Sequence, residues 1–171
     1  VPAGVTNTVA ISANGASCLA LEADGTMVGW GLGTWGQTNI PTGLTNFVAI
    51  AAGDKHNLAL RSDGTVIAWG YNQFGETNVP QSLSNVVAIS AGNQFSVALK
   101  SDGTVVAWGF NFSGVTNVPS GLTNAVAVSA GPTHCLALRA DGNVVGWGNN
   151  AFNLATAPVG LTNTVAIAAG G

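Results

Sequence analysis

NLALRSDGTVIAWG, residues 57–70, occurs four times in the chain with small changes. The other copies are CLALEADGTMVGWG, SVALKSDGTVVAWG and CLALRADGNVVGWG, which begin at Cys18, Ser96 and Cys135. A fixed period of this kind is typical of propellers, solenoids and other repeat proteins. Two residues mark the 39-residue spacing in every copy, a turn aspartate (Asp24, Asp63, Asp102, Asp141) and a tryptophan (Trp30, Trp69, Trp108, Trp147).

Each period predicts three short strands. In the second copy these are FVAIAAG, NLALRS and TVIAWG, which begin at residues 47, 57 and 65 and are apolar runs bounded by turn residues. Asp63–Gly64 between the second and third strands predicts a two-residue type I′ hairpin. The link YNQFGETNVPQSLSN that follows predicts a short fourth strand near residues 76–79. A helical period is seen nowhere.

Side chains on the predicted strands are apolar on both faces. In TVIAWG, for example, Val66 and Ala68 point one way while Ile67 and Trp69 point the other, because side chains alternate along a strand. Small sheets of this kind must be covered on both sides, which predicts an all-β propeller with one blade per repeat. A β-solenoid is the alternative. The chain is predicted to be a single domain, residues 1–171, with repeats at about 9–47, 48–86, 87–125 and 126–164 and a partial fifth copy at 165–171.

The repeat resembles that of the regulator of chromosome condensation family in its compact bacterial form. VAIAAG, LAL, DGT and AWG at fixed offsets carry the resemblance, which covers the whole chain. The resemblance implies a β-propeller, in this family usually of seven blades, a number that four repeats do not reach. The constant spacing leaves no room for the inserted wedge with which the founding member exchanges nucleotide on a small GTPase. The repeats are therefore more similar to those of propeller-type β-lactamase inhibitors.

Composition and charge argue against several functions. Charged residues make up 6% of the chain and the net charge is −3, whereas nucleic-acid binding needs clustered basic residues. The chain contains no apolar run of the roughly 20 residues that a membrane helix needs. Cys18 and Cys135, three repeats apart, do not suggest a disulfide framework. Metal and phosphate motifs are missing, and Asp54 and Glu76 are the acids outside the repeated hairpins. We expect no cofactor and no enzymatic activity.

Strand direction sorts the loops into two faces. The connection between the first two strands and the loop after the third lie on one face, and the Asp-Gly turns lie mostly on the other. The turns are nearly identical in all copies, whereas the loops of the first face vary and carry aromatic residues. We call this the variable face.

Loops on a rigid scaffold often carry recognition residues, and aromatic side chains are common interface anchors. Packing between blades is the alternative role for several of these aromatics, including Phe152, and a hydrogen-bonded structural role is the alternative for the two histidines. The predicted partner-binding residues are Trp35, Asp54, Lys55, His56, Tyr71, Phe74, Asn93, Gln94, Phe95, Phe110, Phe112, Thr133 and His134.

These observations predict a non-catalytic protein-binding or scaffold propeller that uses the variable face. The alternatives are a self-assembling structural module of a secreted or surface bacterial protein, and a proteinaceous inhibitor of the β-lactamase-inhibitor type. The first strand occurs five times and the hairpin four times, so apolar ends are expected to drive self-association. The product would be a dimeric ring of about eight blades or a longer array. Nucleic acid and membrane insertion are not expected.

Overall fold

A computed structural model describes residue 2 and residues 5–170, and in these residues twelve strands form four antiparallel sheets. Each sheet contains three strands that are consecutive in the chain, as expected for strands joined by short connections. The strands of the first two sheets are β1 (Thr8–Asn14), β2 (Ser17–Glu22), β3 (Met27–Gly31), β4 (Phe47–Ala52), β5 (His56–Arg61) and β6 (Val66–Gly70). Those of the other two are β7 (Val86–Ala91), β8 (Phe95–Lys100), β9 (Val105–Gly109), β10 (Ala125–Ala130), β11 (His134–Arg139) and β12 (Val144–Gly148).

The four sheets are the blades of a propeller, which confirms the predicted fold. The first strands of successive blades contact one another, β1 with β4, β4 with β7 and β7 with β10, so these strands lie innermost. Each pair of neighbouring blades encloses its own apolar cluster, as the apolar character of both strand faces requires. Between the first two blades this cluster includes Leu19, Leu21, Phe47, Ala59 and Trp69.

Hydrogen bonds repeat at each contact between neighbouring blades. The indole nitrogen of Trp69 donates to the carbonyl oxygen of Gln37 in the preceding blade at 2.9 Å. Trp108 and Trp147 donate in the same way to the carbonyls of Glu76 and Val115 at 3.0 and 2.8 Å. A buried indole N–H needs a partner, and the repeated tryptophan finds it in the neighbouring blade. The 39-residue period therefore reproduces the blade and also the contact that joins one blade to the next.

The hairpin turn differs from the predicted type I′ turn. The amide of Gly64 donates to the Arg61 carbonyl at 3.0 Å, and the amide of Arg61 donates to the Thr65 carbonyl at 2.9 Å. Gly64 has a φ of 80°, whereas Asp63 is not among the residues with positive φ. The loop therefore has three residues, a type I turn followed by a left-handed glycine. Asp63 accepts hydrogen bonds from the amide and the hydroxyl of Thr65, which stabilise the turn.

The predicted fourth strand near residues 76–79 is wrong. The link after the third strand folds on itself, because the Asn78 amide donates to the Gly75 carbonyl and the Val79 amide to the Thr77 carbonyl, both at 3.0 Å. The Thr77 amide donates to the side chain of Asn72 at 3.0 Å. These local bonds use the amides that a strand would need for pairing with the blade.

The fifth copy of the first strand lies beside the fourth blade without pairing into a sheet among the described residues. The Ala169 amide donates to the Ser129 hydroxyl at 2.9 Å, as Ala130 does to Ser90 at 3.0 Å. Residues 164–170 thus follow the path of an innermost strand, as the sequence similarity predicts.

Candidate functional site

The variable loops of successive blades meet on one face. The loop between β4 and β5 contacts the loop after β6, since the Tyr71 amide donates to the Lys55 carbonyl at 2.9 Å. The Lys55 ammonium lies 5.7 Å from the centre of the Tyr71 ring in its own blade. It also reaches the loop of the preceding blade, where it lies 5.5 Å from the centre of the Trp35 ring. This arrangement agrees with the two-face interpretation of the sequence.

Five aromatic side chains form a continuous row on the variable face. Their ring centres follow one another at 4.9 Å (Trp35 to Tyr71), 6.4 Å (Tyr71 to Phe74), 4.4 Å (Phe74 to Phe110) and 6.0 Å (Phe110 to Phe112). The row, which we call the aromatic row, crosses the first three blades. Trp35 and Phe112 at its ends are 46% and 61% exposed, and the three rings between them remain partly exposed to solvent. Edge-to-face and offset contacts of this kind stabilise aromatic pairs.

Two of the three loops that hold the aromatic row, those of the second and third blades, share one internal scaffold. The side-chain oxygen of Asn72 accepts the Thr77 amide at 3.0 Å, and its side-chain nitrogen donates to Asn78 at 2.8 Å. Asn111 makes the corresponding bonds to Thr116 and Asn117 in the next blade. Because side chains fix the loop backbone, the positions that differ between repeats can vary without changing the loop shape.

Gln37 and Glu76 position the exposed rings, a role that the sequence analysis missed. Gln37 is 2% exposed and its side-chain oxygen accepts the Trp35 amide at 2.9 Å. Glu76 is 1% exposed and accepts the Phe74 amide at 2.8 Å. Glu76 is therefore a buried acceptor and does not contribute a surface charge. The signal in the sequence was an amide and an acid at the same repeat position, two residues after Trp35 and two residues after Phe74.

Three predicted partner-binding residues lie inside the fold. His56, Phe95 and His134 are 0%, 2% and 3% exposed, because each occupies the first position of a middle strand and points inward. The imidazole Nε2 of His56 lies 3.0 Å from the Ser96 hydroxyl, and burial lowers its pKa to about 4. Burial also lowers the pKa of His134. The structure thus excludes His56 and His134 from the surface and agrees with their alternative, structural role.

Phe95 forms part of a pocket at the end of the aromatic row. This pocket of about 90 Å³ lies between the loops of the third and fourth blades. Asn93, Gln94 and Thr133, all predicted site residues, are half-buried at this pocket. The complete lining is Asn93, Gln94, Phe95, Phe110, Phe112, Val115, Pro132 and Thr133, which we call the row-end pocket.

Among the described residues, one pair of side chains carries the exposed charge of the variable face. The Lys55 ammonium lies 4.0 Å from the Asp54 carboxylate, and both side chains are just over one third exposed. The remaining ion pairs, such as Arg61 with Asp63 at 3.3 Å, lie at the Asp-Gly turns of the opposite face. The variable face is therefore apolar, amide-rich and close to neutral.

The two acids outside the repeated hairpins differ in environment, since Glu76 is buried and Asp54 lies beside Lys55. Within the described part of the chain, no group of three or more His, Cys, Asp or Glu side chains could hold a metal ion. Both cysteines are free, and burial raises the pKa of Cys135 to about 12. The geometry of the variable face supports non-covalent binding. None of the helices in the described residues is long and apolar enough to cross a membrane.

Several solved structures share the fold of this chain. The ectodomain of the Physcomitrella patens receptor kinase CR4 is 25% identical, with a TM-score of 0.80, and the match covers 94% of this chain and 47% of that one. Saccharomyces cerevisiae Prp20p is 22% identical, with a TM-score of 0.72 and coverage of 82% and 45%. The computationally designed Ika4 protein is 22% identical, with a TM-score of 0.54 and coverage of 82% and 90%.

The chain thus spans about half the length of these natural propellers. No curated protein matches it. The Regulator of chromosome condensation (RCC1) repeat family matches residues 47–76, 86–115 and 125–153, more than half of the chain. The first blade, outside this match, has the same strand register and the same bulge in its first strand as the other three. The chain belongs to the regulator of chromosome condensation (RCC1) repeat family.

Proposed function

We propose that the protein is a non-catalytic binding module that holds a protein partner on its variable face. The observation that carries this proposal is the aromatic row, which stays exposed across three blades. Exposed aromatic side chains on a rigid scaffold bury large areas on binding and lose little conformational entropy. The same fold has a precedent in yeast Prp20p, which binds Gsp1p and histones.

Rigidity of the row supports recognition. The ring-bearing loops are fixed by a buried acceptor in the first blade (Gln37), by an asparagine in the third (Asn111) and by both devices in the second (Glu76 and Asn72), so the rings do not need to be ordered when the partner binds. The opposite face carries nearly identical turns, in which each aspartate accepts a hydrogen bond from the residue two positions later, a threonine in three turns and Asn143 in the fourth. A partner-specific surface is therefore better placed on the variable face.

A peptide library displayed on phage and panned against the protein tests this proposal. We expect enriched clones to lose binding when Trp35 and Phe112 are both replaced by Ala. Phe152→Ala is the matched control, because Phe152 is 96% exposed on a variable loop but lies outside the aromatic row. Clones that bind the double variant as well as the wild type would contradict the proposal.

Self-association is a second candidate function, favoured by the uncovered outer side of the first blade. Ile11 is 78% exposed, whereas its repeat counterparts Ile50 and Ile89 are partly buried between blades. A surface built to contact another blade is thus open in the described residues. A second copy of the chain would supply the missing blade.

A further inference from the structure

The row-end pocket lies where the contact between rings of successive blades is interrupted. Trp35 packs on Tyr71 of the next blade, and Phe74 packs on Phe110 in the same way. The third repeat has Ser113 at the position of Trp35 and Phe74, and the fourth has Asn149 at the position of Tyr71 and Phe110. No ring therefore bridges the third and fourth blades, and an open pocket follows the last ring, Phe112.

The volume of this pocket limits the size of the ligand group that can enter it. Its volume of about 90 Å³ is well below the roughly 300–1,000 Å³ of ordinary small-molecule sites. It can hold one small apolar group, such as a proline ring, while the rest of the ligand lies along the aromatic row. Phe110, Phe112 and Pro132 supply apolar walls for such a group.

Polar groups at the pocket complement an extended backbone. Asn93 and Gln94 each carry two amide donors, and Thr133 carries a hydroxyl. A polyproline II segment forms no internal hydrogen bonds, so its carbonyl oxygens are free to accept them. Aromatic-lined grooves recognise such segments elsewhere, because the peptide is already ordered before it binds.

Charge favours an uncharged ligand. Asp54 and Lys55 are the exposed charges of the variable face, and each is engaged with the other at 4.0 Å. A charged ligand would have to break this pair or remain unpaired. The Lys55 ammonium also lies over Trp35 and Tyr71, the rings best suited to stacking on a sugar, which favours a peptide over an oligosaccharide.

We propose that the aromatic row and the row-end pocket bind an uncharged, proline-rich peptide segment in the polyproline II conformation. This inference rests on the proposed function and names the chemistry of the partner. One proline ring enters the row-end pocket, and the following turns of the segment contact Phe110 and Phe74.

Titration of the ¹⁵N-labelled protein with a decaproline peptide tests the inference by NMR. We expect saturable shifts at Asn93, Gln94 and Thr133. Phe112→Ala should weaken binding at least about tenfold, because it removes a pocket wall that is also the last ring. The affinity of Phe152→Ala for the peptide should stay within about twofold of that of the wild type. High salt should also change the affinity of the wild type by less than about twofold, since no charge is involved. A Gly-Ser peptide of equal length should cause no shifts.

Several results would overturn the inference. They are the absence of saturation with decaproline, an equal loss of affinity in the Phe112→Ala and Phe152→Ala variants, and binding of cellohexaose at the same residues in place of the peptide. If decaproline fails while panned clones still depend on Trp35 and Phe112, the proposed function stands and only the proline-rich assignment is wrong. If panned clones are also insensitive to these residues, both proposals fail. Thermal unfolding of each variant confirms that it is folded.

Discussion

His56 is a neutral imidazole enclosed between the second and third blades. Its side chain is fully buried and lies 3.0 Å from the Ser96 hydroxyl, and burial lowers its pKa from 6.5 to about 4. Between these two values the unfolded chain binds a proton that the folded protein does not. The contribution of His56 to stability is therefore complete above pH 6.5 and is lost as the pH falls towards 4.

We predict that acid destabilises the wild-type protein more than it destabilises a His56→Gln variant. Glutamine keeps a polar side chain at this position but cannot ionise. The shift corresponds to about 3 kcal/mol of unfolding free energy over the whole window, at about 1.4 kcal/mol per pH unit. Urea unfolding at about pH 7.5 and about pH 4.5 measures the difference. Carboxylates and His134 titrate in both proteins and cancel in the comparison. An equal pH dependence would show that His56 is not buried as the structure places it.

The candidate site contains residues whose role could be predicted from the sequence and residues whose role could not. The aromatic character of the row could be predicted, because residues that vary between repeats stand out against a constant frame. The burial of His56, Phe95 and His134 could not, because it depends on whether the middle strand begins at that residue or one position later. Neighbouring blades cover both faces of a strand, so its first residue is buried, whereas the last residue of a surface loop is not.

The hairpin turn is the element on which every blade depends. Gly64 has a φ of 80°, and a Cβ atom built there would lie 3.2 Å from the Val86 amide nitrogen at the start of the next blade. An L-residue is disfavoured in this conformation by roughly 1–2 kcal/mol. Both the turn and the contact between blades would therefore be strained by a side chain at Gly64.

We predict that Gly64→Ala lowers the unfolding free energy by at least roughly 1–2 kcal/mol. Gly121→Ala is the matched control, because a Cβ atom there meets nothing within 4 Å and its φ is not positive. The control should leave stability unchanged or raise it by a few tenths of a kcal/mol, since Ala restricts the unfolded chain. Chemical denaturation of both variants measures the two effects, and similar losses in both would contradict the assigned turn.

At the level of elements, the three strands of each blade could be predicted because their apolar runs are bounded by turn residues. The turn type and the fourth strand could not. An Asp-Gly pair is compatible with both two-residue and three-residue loops, and here the amide of Arg61 pairs across a loop of three residues. The segment near residues 76–79 has strand-like residues, but its amides are used in local turns and by Asn72.

At the level of the whole molecule, the period determines the architecture more strongly than any single residue does. Each repeat supplies the acceptor carbonyl and the apolar surface that the next repeat needs, so identical units stack in one way. The same dependence of each repeat on its neighbours explains the exposed apolar residues at the two ends. Ile11 is 78% exposed on the first blade, and Leu154 after the fourth is 42% exposed, whereas its counterpart Val115 is 2% exposed.

We predict that a polypeptide of these 171 residues self-associates at micromolar concentration, with the first blade of one copy contacting the last blade of another. Ile11→Asp should abolish the association, because a buried unpaired carboxylate opposes the contact. Val87→Asp is the control, since Val87 is 54% exposed on an innermost strand and lies away from the uncovered ends. Sedimentation velocity of the three proteins gives their masses, and electron microscopy distinguishes closed rings from fibres. A wild-type monomer over the whole concentration range, or equal effects of the two substitutions, would show that the uncovered blade does not bind a second copy.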